Sequence, residues 1–143
     1  MLLGEYEHTL DDKNRLTLPA KFRRAFDDGC VVARGLDGCL HAWTPEGWAN
    51  HRDTTLSTLN LLSREGRQLH RYFISGATET IPDKQGRVII PPTLIGHAKL
   101  DKDVVVAGAN DHLEIWDRDA WRRELSEVEG SAEDVAERLA HRS

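Results

Sequence analysis

The chain has 143 residues, 39% hydrophobic and 30% charged, enough for one compact domain or two small halves sharing a core. No run of 18 apolar residues occurs, so no membrane-spanning helix is expected, and the start Met-Leu-Leu-Gly-Glu-Tyr-Glu lacks the basic region of an export signal. The net charge of -5 excludes a chain that is basic throughout, but the excess acid belongs to residues 111–143, which hold ten acids against five bases, while residues 1–110 balance at fourteen each.

Glu5–Leu10 and Arg15–Leu18 alternate like short strands around a turn, and Pro19 suits the first turn of a short helix over 19–26. Cys30–Ala33 and Cys39–Trp43 read as a hairpin turned at Gly35, Asp37 and Gly38. Thr44-Pro45 reads as an N-cap with proline behind it, opening a helix that carries Trp48. Leu56, Leu59, Leu62, Leu69 and Phe73 have helical spacing, which predicts one linking helix over Thr54–Tyr72. A strand over Phe73–Thr80, a turn, a strand over Val88–Ile90 and a short helix from Pro91 follow. Val104–Ala107 and Leu113–Trp116 form a further hairpin, and Asp117 caps a helix through Trp121. The pattern fades near Gly130, and residues 131–143 read as a second helical stretch or a tail.

The same unit is written twice. Residues 8–23 and 80–95 each hold an Asp, three residues, an Arg, a three-residue apolar run and a Pro, at an offset of 72; Gly35–Trp48 and Gly108–Trp121 match at an offset of 73. A fixed period of this kind signals a duplicated structural unit. The expected organisation is a first unit at 5–48, a linking helix at 49–76, a second unit at 77–121 and an acidic helix or tail at 122–143.

Asp11-x-x-x-Arg15 and Asp83-x-x-x-Arg87 have the spacing of a helical ion pair, but strand-like alternation flanks both. The fourth position is Asn14 or Gly86, residues that tolerate positive φ. The motif therefore predicts a tight hairpin turn in which Asp11 or Asp83 accepts turn N–H groups and Arg15 or Arg87 emerges in a fixed pose. One reading confines each pair to stapling its turn. The other sends the planar guanidinium to a phosphate or a guanine edge, and both can hold at once. Residues 13–24 hold Lys13, Arg15, Lys21, Arg23 and Arg24 with no acid, a local basic footprint inside an acidic chain.

These residues carry a family resemblance. The Met-Leu-Leu-Gly-Glu-Tyr start, Asp11-x-Lys13-x-Arg15-Leu with Pro19 and Phe22-Arg23, Asp83-Lys-Gln-Gly-Arg87 with Pro91, and Glu114-Ile-Trp-Asp with Trp121 resemble the MraZ family of bacterial transcriptional regulators, built from two SpoVT/AbrB-like halves. The resemblance implies an α+β, mainly β fold: a pseudo-two-fold swapped-hairpin β-barrel with flanking helices. It also implies rings of many subunits and binding to direct repeats of double-stranded DNA in the promoter of the protein's own division and cell-wall gene cluster, with location in the cytoplasm at the nucleoid. By position, Lys13, Arg15, Lys84 and Arg87 fall in the DNA-contacting turns. Asn14 stands where the family usually shows Gly, and Gln85 stands opposite Lys13. The first copy, with Lys21, Arg23 and Arg24 nearby, is expected to dominate DNA contact.

The remaining residues have plainer readings. Trp43, Trp48, Trp116 and Trp121 recur in register and are expected to anchor the core of each half. Arg64, Arg67 and Arg71 fit a solvated or intersubunit helix face. Cys30 and Cys39 are expected as reduced, buried thiols, and no His or Cys has a metal-ligand spacing, so no metal or other cofactor is assigned. No nucleophile elbow or phosphate loop occurs, so no enzyme and no small-molecule substrate is expected. Two alternatives to a DNA-binding regulator stand: an AbrB-type antitoxin, and a ring scaffold that binds no nucleic acid.

Overall fold

A computed structural model describes residues 1–142. In chain order it contains β1 (Glu5–Thr9), β2 (Arg15–Thr17), α1 (Ala20–Arg23), β3 (Cys30–Arg34), β4 (Leu40–Trp43), α2 (Pro45–Thr54), α3 (Arg64–Ser75), β5 (Thr78–Thr80), β6 (Arg87–Ile89), α4 (Pro92–His97), β7 (Asp103–Gly108), β8 (Leu113–Asp117), α5 (Arg118–Glu129) and α6 (Ala132–Ala140). Short 3-10 turns follow α1 and α2.

The strands form two antiparallel groups, a six-stranded sheet in the order β1-β7-β8-β4-β3-β5 and a two-stranded ribbon, β2-β6. Exchanging the halves maps β1 onto β5, β3 onto β7 and β4 onto β8, and turns the sheet order into its own reverse. The duplication is therefore a pseudo-two-fold axis that passes between β4 and β8 and through the ribbon. The halves are interleaved: β1 pairs with β7, β5 with β3, and β2 with β6, each across the repeat. The mixed α+β class and the swapped hairpins match the expectation from the resemblance. The closed barrel does not. β1 and β5 end the sheet with one free edge each, and the ribbon meets the sheet through a single bridge, Leu10 to Leu16, rather than a continued ladder.

The ribbon lies over one face of the sheet and closes the core. Leu16, Leu18, Val88 and Ile90 point down and are fully buried, with Phe22, Phe26 and Leu94 from the helices that follow β2 and β6. They meet Val32, Leu40, Val104, Val106, Leu113 and Ile115 from the sheet. Each such side chain contributes roughly 1.5–3 kcal/mol of burial free energy. α2 covers β3 and β4 on the opposite face, and α5 covers β7 and β8. With cover on both sides, β7 reads Val104-Val-Val-Ala107 without alternation.

Two expectations about the link change. The helix expected over Thr54–Tyr72 is broken, because α2 already runs to Thr54 and α3 starts afresh at Arg64. Ser63 is its N-cap: Ser63 Oγ accepts from Gly66 N at 3.0 Å and donates to Asn60 O at 2.9 Å. Phe73 belongs to α3 and not to a strand, which forms only at Thr78, where Cys30–Val32 offers a free edge. Residues 131–142 are largely helical, as α6. Trp43 and Trp116 are buried, but on the helix-covered face and outside the main core; each packs against the partly exposed Trp48 or Trp121 and so fixes α2 or α5.

Candidate nucleic-acid interface

The two Asp-x-x-x-Arg segments form the same turn atom for atom. In the first, Asp11 N donates to Arg15 O at 3.0 Å and Asn14 N donates to Asp11 O at 3.1 Å. Asp11 Oδ1 accepts from Lys13 N at 2.9 Å and Arg15 N at 2.8 Å, and Asp11 Oδ2 accepts from Arg15 Nε at 2.7 Å. In the second, Asp83 Oδ1 accepts from Gln85 N at 2.9 Å and Arg87 N at 3.0 Å, and Oδ2 accepts from Arg87 Nε at 2.7 Å. Asn14 has φ 58° and Gly86 has φ 76°, the left-handed conformation at the fourth position.

These bonds all favour the charged carboxylate. The Arg15 N–H, with the Arg15 guanidinium and the Lys13 N–H, holds Asp11 below the ordinary carboxylate range, and the Arg87 N–H leads the same effect on Asp83. Each Asp uses only the Nε of its Arg. Both Nη groups of Arg15 and of Arg87 make no hydrogen bond among the described residues, so a planar fork is held by one edge with the other left open.

The turns are joined to each other. Asn14 O accepts from Ile90 N at 2.9 Å, and Gly86 O accepts from Leu18 N at 2.8 Å, so each left-handed residue is tied into the other half's strand. Arg15 lies opposite Ile89, and Arg87 lies opposite Thr17. Leu16 and Val88 alternate with them and point into the core, so Arg15, Thr17, Arg87 and Ile89 share the outer face of the ribbon. Strand rise and spacing put the Arg15 and Arg87 Cα atoms roughly 8 Å apart. A two-stranded ribbon is one of the shapes that a DNA major groove admits.

The flanking cations are distributed unevenly. Lys13 and Lys84 stand exposed on the turns, and Lys21 and Arg24 are exposed on and just after α1. Arg23 crosses to the other half: its Nε donates to Leu18 O at 2.9 Å, and a Cβ on Gly86 would sit 2.6 Å from Arg23 Cδ and Nε. Arg23, which follows the first turn in the chain, therefore lies against the second. The matching position over the first turn is taken by Ile95, which lines a groove with Asp11, Asp12 and Asn14. This explains why position 86 is glycine while position 14 admits asparagine. It also adds the Arg23 charge to the second turn, although Arg23 follows the first in the chain. Asp12 offsets Lys13 in the first turn, whereas Lys84 stands in Asp12's place in the second. Nothing in the sequence marks this crossing, because the strands that carry it are 72 residues apart.

Arg67 Nη1 is bound to Leu61 O at 3.0 Å, while Arg64 and Arg71 are exposed on α3. Cys30 and Cys39 are free, buried thiols, both pushed up to about 12 chiefly by burial.

A family model described as "MraZ protein, putative antitoxin-like" matches the chain twice, over residues 1–71 and 73–143. The chain is 46% identical over 139 residues to a protein of Ligilactobacillus salivarius (strain UCC118) named Transcriptional regulator MraZ, covering 97% of this chain and 96% of that one. It is 42% identical over 139 residues to the protein of the same name in Thermoanaerobacter pseudethanolicus (strain ATCC 33223 / 39E), with the same coverage. To that of Roseiflexus castenholzii (strain DSM 13941 / HLO8) it is 44% identical over 140 residues, 98% of this chain and 97% of that one.

Proposed function

The chain belongs to the MraZ family, and on that premise we propose that it is a DNA-binding transcriptional repressor and not an enzyme. The observation that carries this reading is the β2-β6 ribbon, whose outer face presents two guanidinium forks on clamped turns related by the pseudo-two-fold axis. Arg15 and Arg87 read base edges or grip phosphates in one groove. Lys13, Lys84, Lys21, Arg23 and Arg24 add phosphate contacts, which raise affinity and its salt dependence without reading sequence. Lys84 on the turn and Arg23 against Gly86 make the second turn the stronger contact.

One ribbon covers only a few base pairs, so useful affinity comes from several subunits engaging repeated sites together. The target is a set of direct repeats in the promoter of the protein's own division and cell-wall gene cluster, and the assembly is a ring at the nucleoid. The open edges of β1 and β5 support such an assembly, as does a groove of about 550 Å³ lined by Pro45, Trp48, Arg52, Glu79 and Ile81. Of these, Ile81 is 76% exposed. A patch that fits a different patch on the next copy closes into a ring where the rotation between copies allows it.

Light scattering together with gel retardation on DNA from upstream of the gene separates the alternatives. A large particle that retards this DNA is expected. A large particle that leaves it free identifies a scaffold, and retention by a small toxic partner with no DNA binding identifies an antitoxin.

A further inference from the structure

The repeat also brings together four donor side chains that lie far apart in the sequence. Cys39 and His112 occupy equivalent positions of the two halves, and so do His41 and Glu114. β4 and β8 pair across the axis with His41 opposite Glu114. Leu40, Leu113 and Ile115 from these strands face the core, so Cys39, His41, His112 and Glu114 share the other face. One sulfur, two imidazoles and a carboxylate thus meet on the pseudo-two-fold axis.

Their atoms converge without satisfying one another. One ligand atom each from Cys39, His41 and Glu114 lie within 4.8 Å of one another. Glu114 Oε2 is 3.7 Å from His41 Nε2 and 3.9 Å from His112 Nε2, beyond hydrogen-bond reach in both cases. His112 Nε2 is buried with no partner. Gly35 leaves the space open: a Cβ there would lie 2.8 Å from both Cys39 Sγ and His41 Nε2. Tetrahedral zinc, with bonds of about 2.0–2.3 Å, holds neighbouring donors roughly 3.3–3.8 Å apart. The two Glu114 distances are already close to that spacing, and the Cys39, His41 and Glu114 donors would close further by up to about 1.5 Å around an ion.

The outer contacts aim the donors. His112 Nδ1 is 2.7 Å from Asp111 Oδ1, which fixes the proton on Nδ1 and leaves the Nε2 lone pair facing the cluster. Trp116 Nε1 donates to Glu114 Oε1 at 3.1 Å, leaving Oε2 for the site. A thiolate and two imidazoles favour zinc over calcium or magnesium, and four protein ligands make a closed, structural site.

We propose that Cys39, His41, His112 and Glu114 bind one zinc ion that clips the two halves together on the axis. Sequence spacing hides the site, because Cys39-x-His41 supplies two ligands from one half and the others arrive 73 residues later.

The test is titration of the reduced full chain with zinc against a chromophoric chelator, with cobalt as the spectroscopic probe. One equivalent of zinc is expected, with a raised Tm. Cobalt should give tetrahedral d–d absorption and a thiolate charge-transfer band, kept in Cys30→Ser and lost in Cys39→Ser. Asp111→Asn, which removes no ligand but weakens the contact that orients His112, should weaken binding about 10–100-fold. A wild-type cobalt spectrum without the thiolate band overturns the site irrespective of how any variant folds. So does a band that survives Cys39→Ser, or zinc uptake no greater than that of a Cys39→Ser/His112→Gln chain.

Discussion

Replacing Arg15 or Arg87 by alanine isolates what the guanidinium forks do. The turn itself survives either change. Of the three bonds accepted by the Asp11 carboxylate, two come from the backbone N–H groups of positions 13 and 15, which alanine retains, and the Asp83 carboxylate is held in the same way. Circular dichroism and the urea midpoint should therefore barely move, so a loss of binding reports on DNA contact. A bidentate arginine–guanine contact discriminates by about 1–3 kcal/mol, which is a loss of roughly 5- to 160-fold per subunit engaged. A phosphate contact instead lowers the slope of log K against log salt by about 0.9. Arg87→Ala should cost more than Arg15→Ala, because Lys84 and Arg23 flank it while Asp12 and Ile95 flank the first turn. Arg15→Lys and Arg87→Lys retain the charge but lose the fork, so the salt slope should hold while repeat selectivity falls. Fluorescence anisotropy at several salt concentrations reads both quantities. Wild-type affinity and salt slope in the Arg15→Ala/Arg87→Ala double variant, at unchanged oligomer size, would mean that neither fork touches DNA.

Gly86→Ala forces a Cβ into a left-handed residue and against Arg23, and should lower the unfolding free energy by about 1–3 kcal/mol in urea titration. Asn14→Gly, with no such neighbour, should stay within about 1 kcal/mol. The depressed carboxyls of Asp11 and Asp83 contribute stability that is fully present above the ordinary value of 3.8 and is lost as pH falls through their lower folded values. Acid unfolding of Asp11→Asn/Asp83→Asn should accordingly depend less steeply on pH below 3.8 than the wild type. Thr44 Oγ1 and Asp117 Oδ2 accept from Gly47 N and Ala120 N at equivalent helix starts. Thr44→Ala and Asp117→Ala should each cost about 0.5–2 kcal/mol in thermal unfolding.

Local chemistry was readable from the sequence to the extent that it involved neighbours. The Asp11–Arg15 and Asp83–Arg87 spacing, with Asn14 and Gly86 inside it, leads directly to the turn that the structure contains, since every bond in that turn spans four residues or fewer. The two hairpins and the Thr44 and Asp117 caps are local in the same sense. What the sequence hid is set across the repeat. Arg15 pairs with Ile89, Arg23 covers Gly86, and His41 faces Glu114, and none of these partners is marked by spacing. The helical spacing of Leu56, Leu59 and Leu62 misled because the Asn60–Ser63 turn satisfies its own backbone and restarts the helix. The tryptophans recur in register because α2 and α5 dock on equivalent strands of the helix-covered face, a task that composition does not distinguish from membership of the core.

Whether the duplicated ribbon reads repeated DNA is decided by titration of labelled DNA from upstream of the gene, with the repeats scrambled as control. Tight, salt-sensitive binding to the repeats, falling at least about tenfold on the scrambled sequence and largely lost in the Arg15→Ala/Arg87→Ala variant, is the predicted result. Equal affinity for intact and scrambled repeats, or no binding to either, would contradict it.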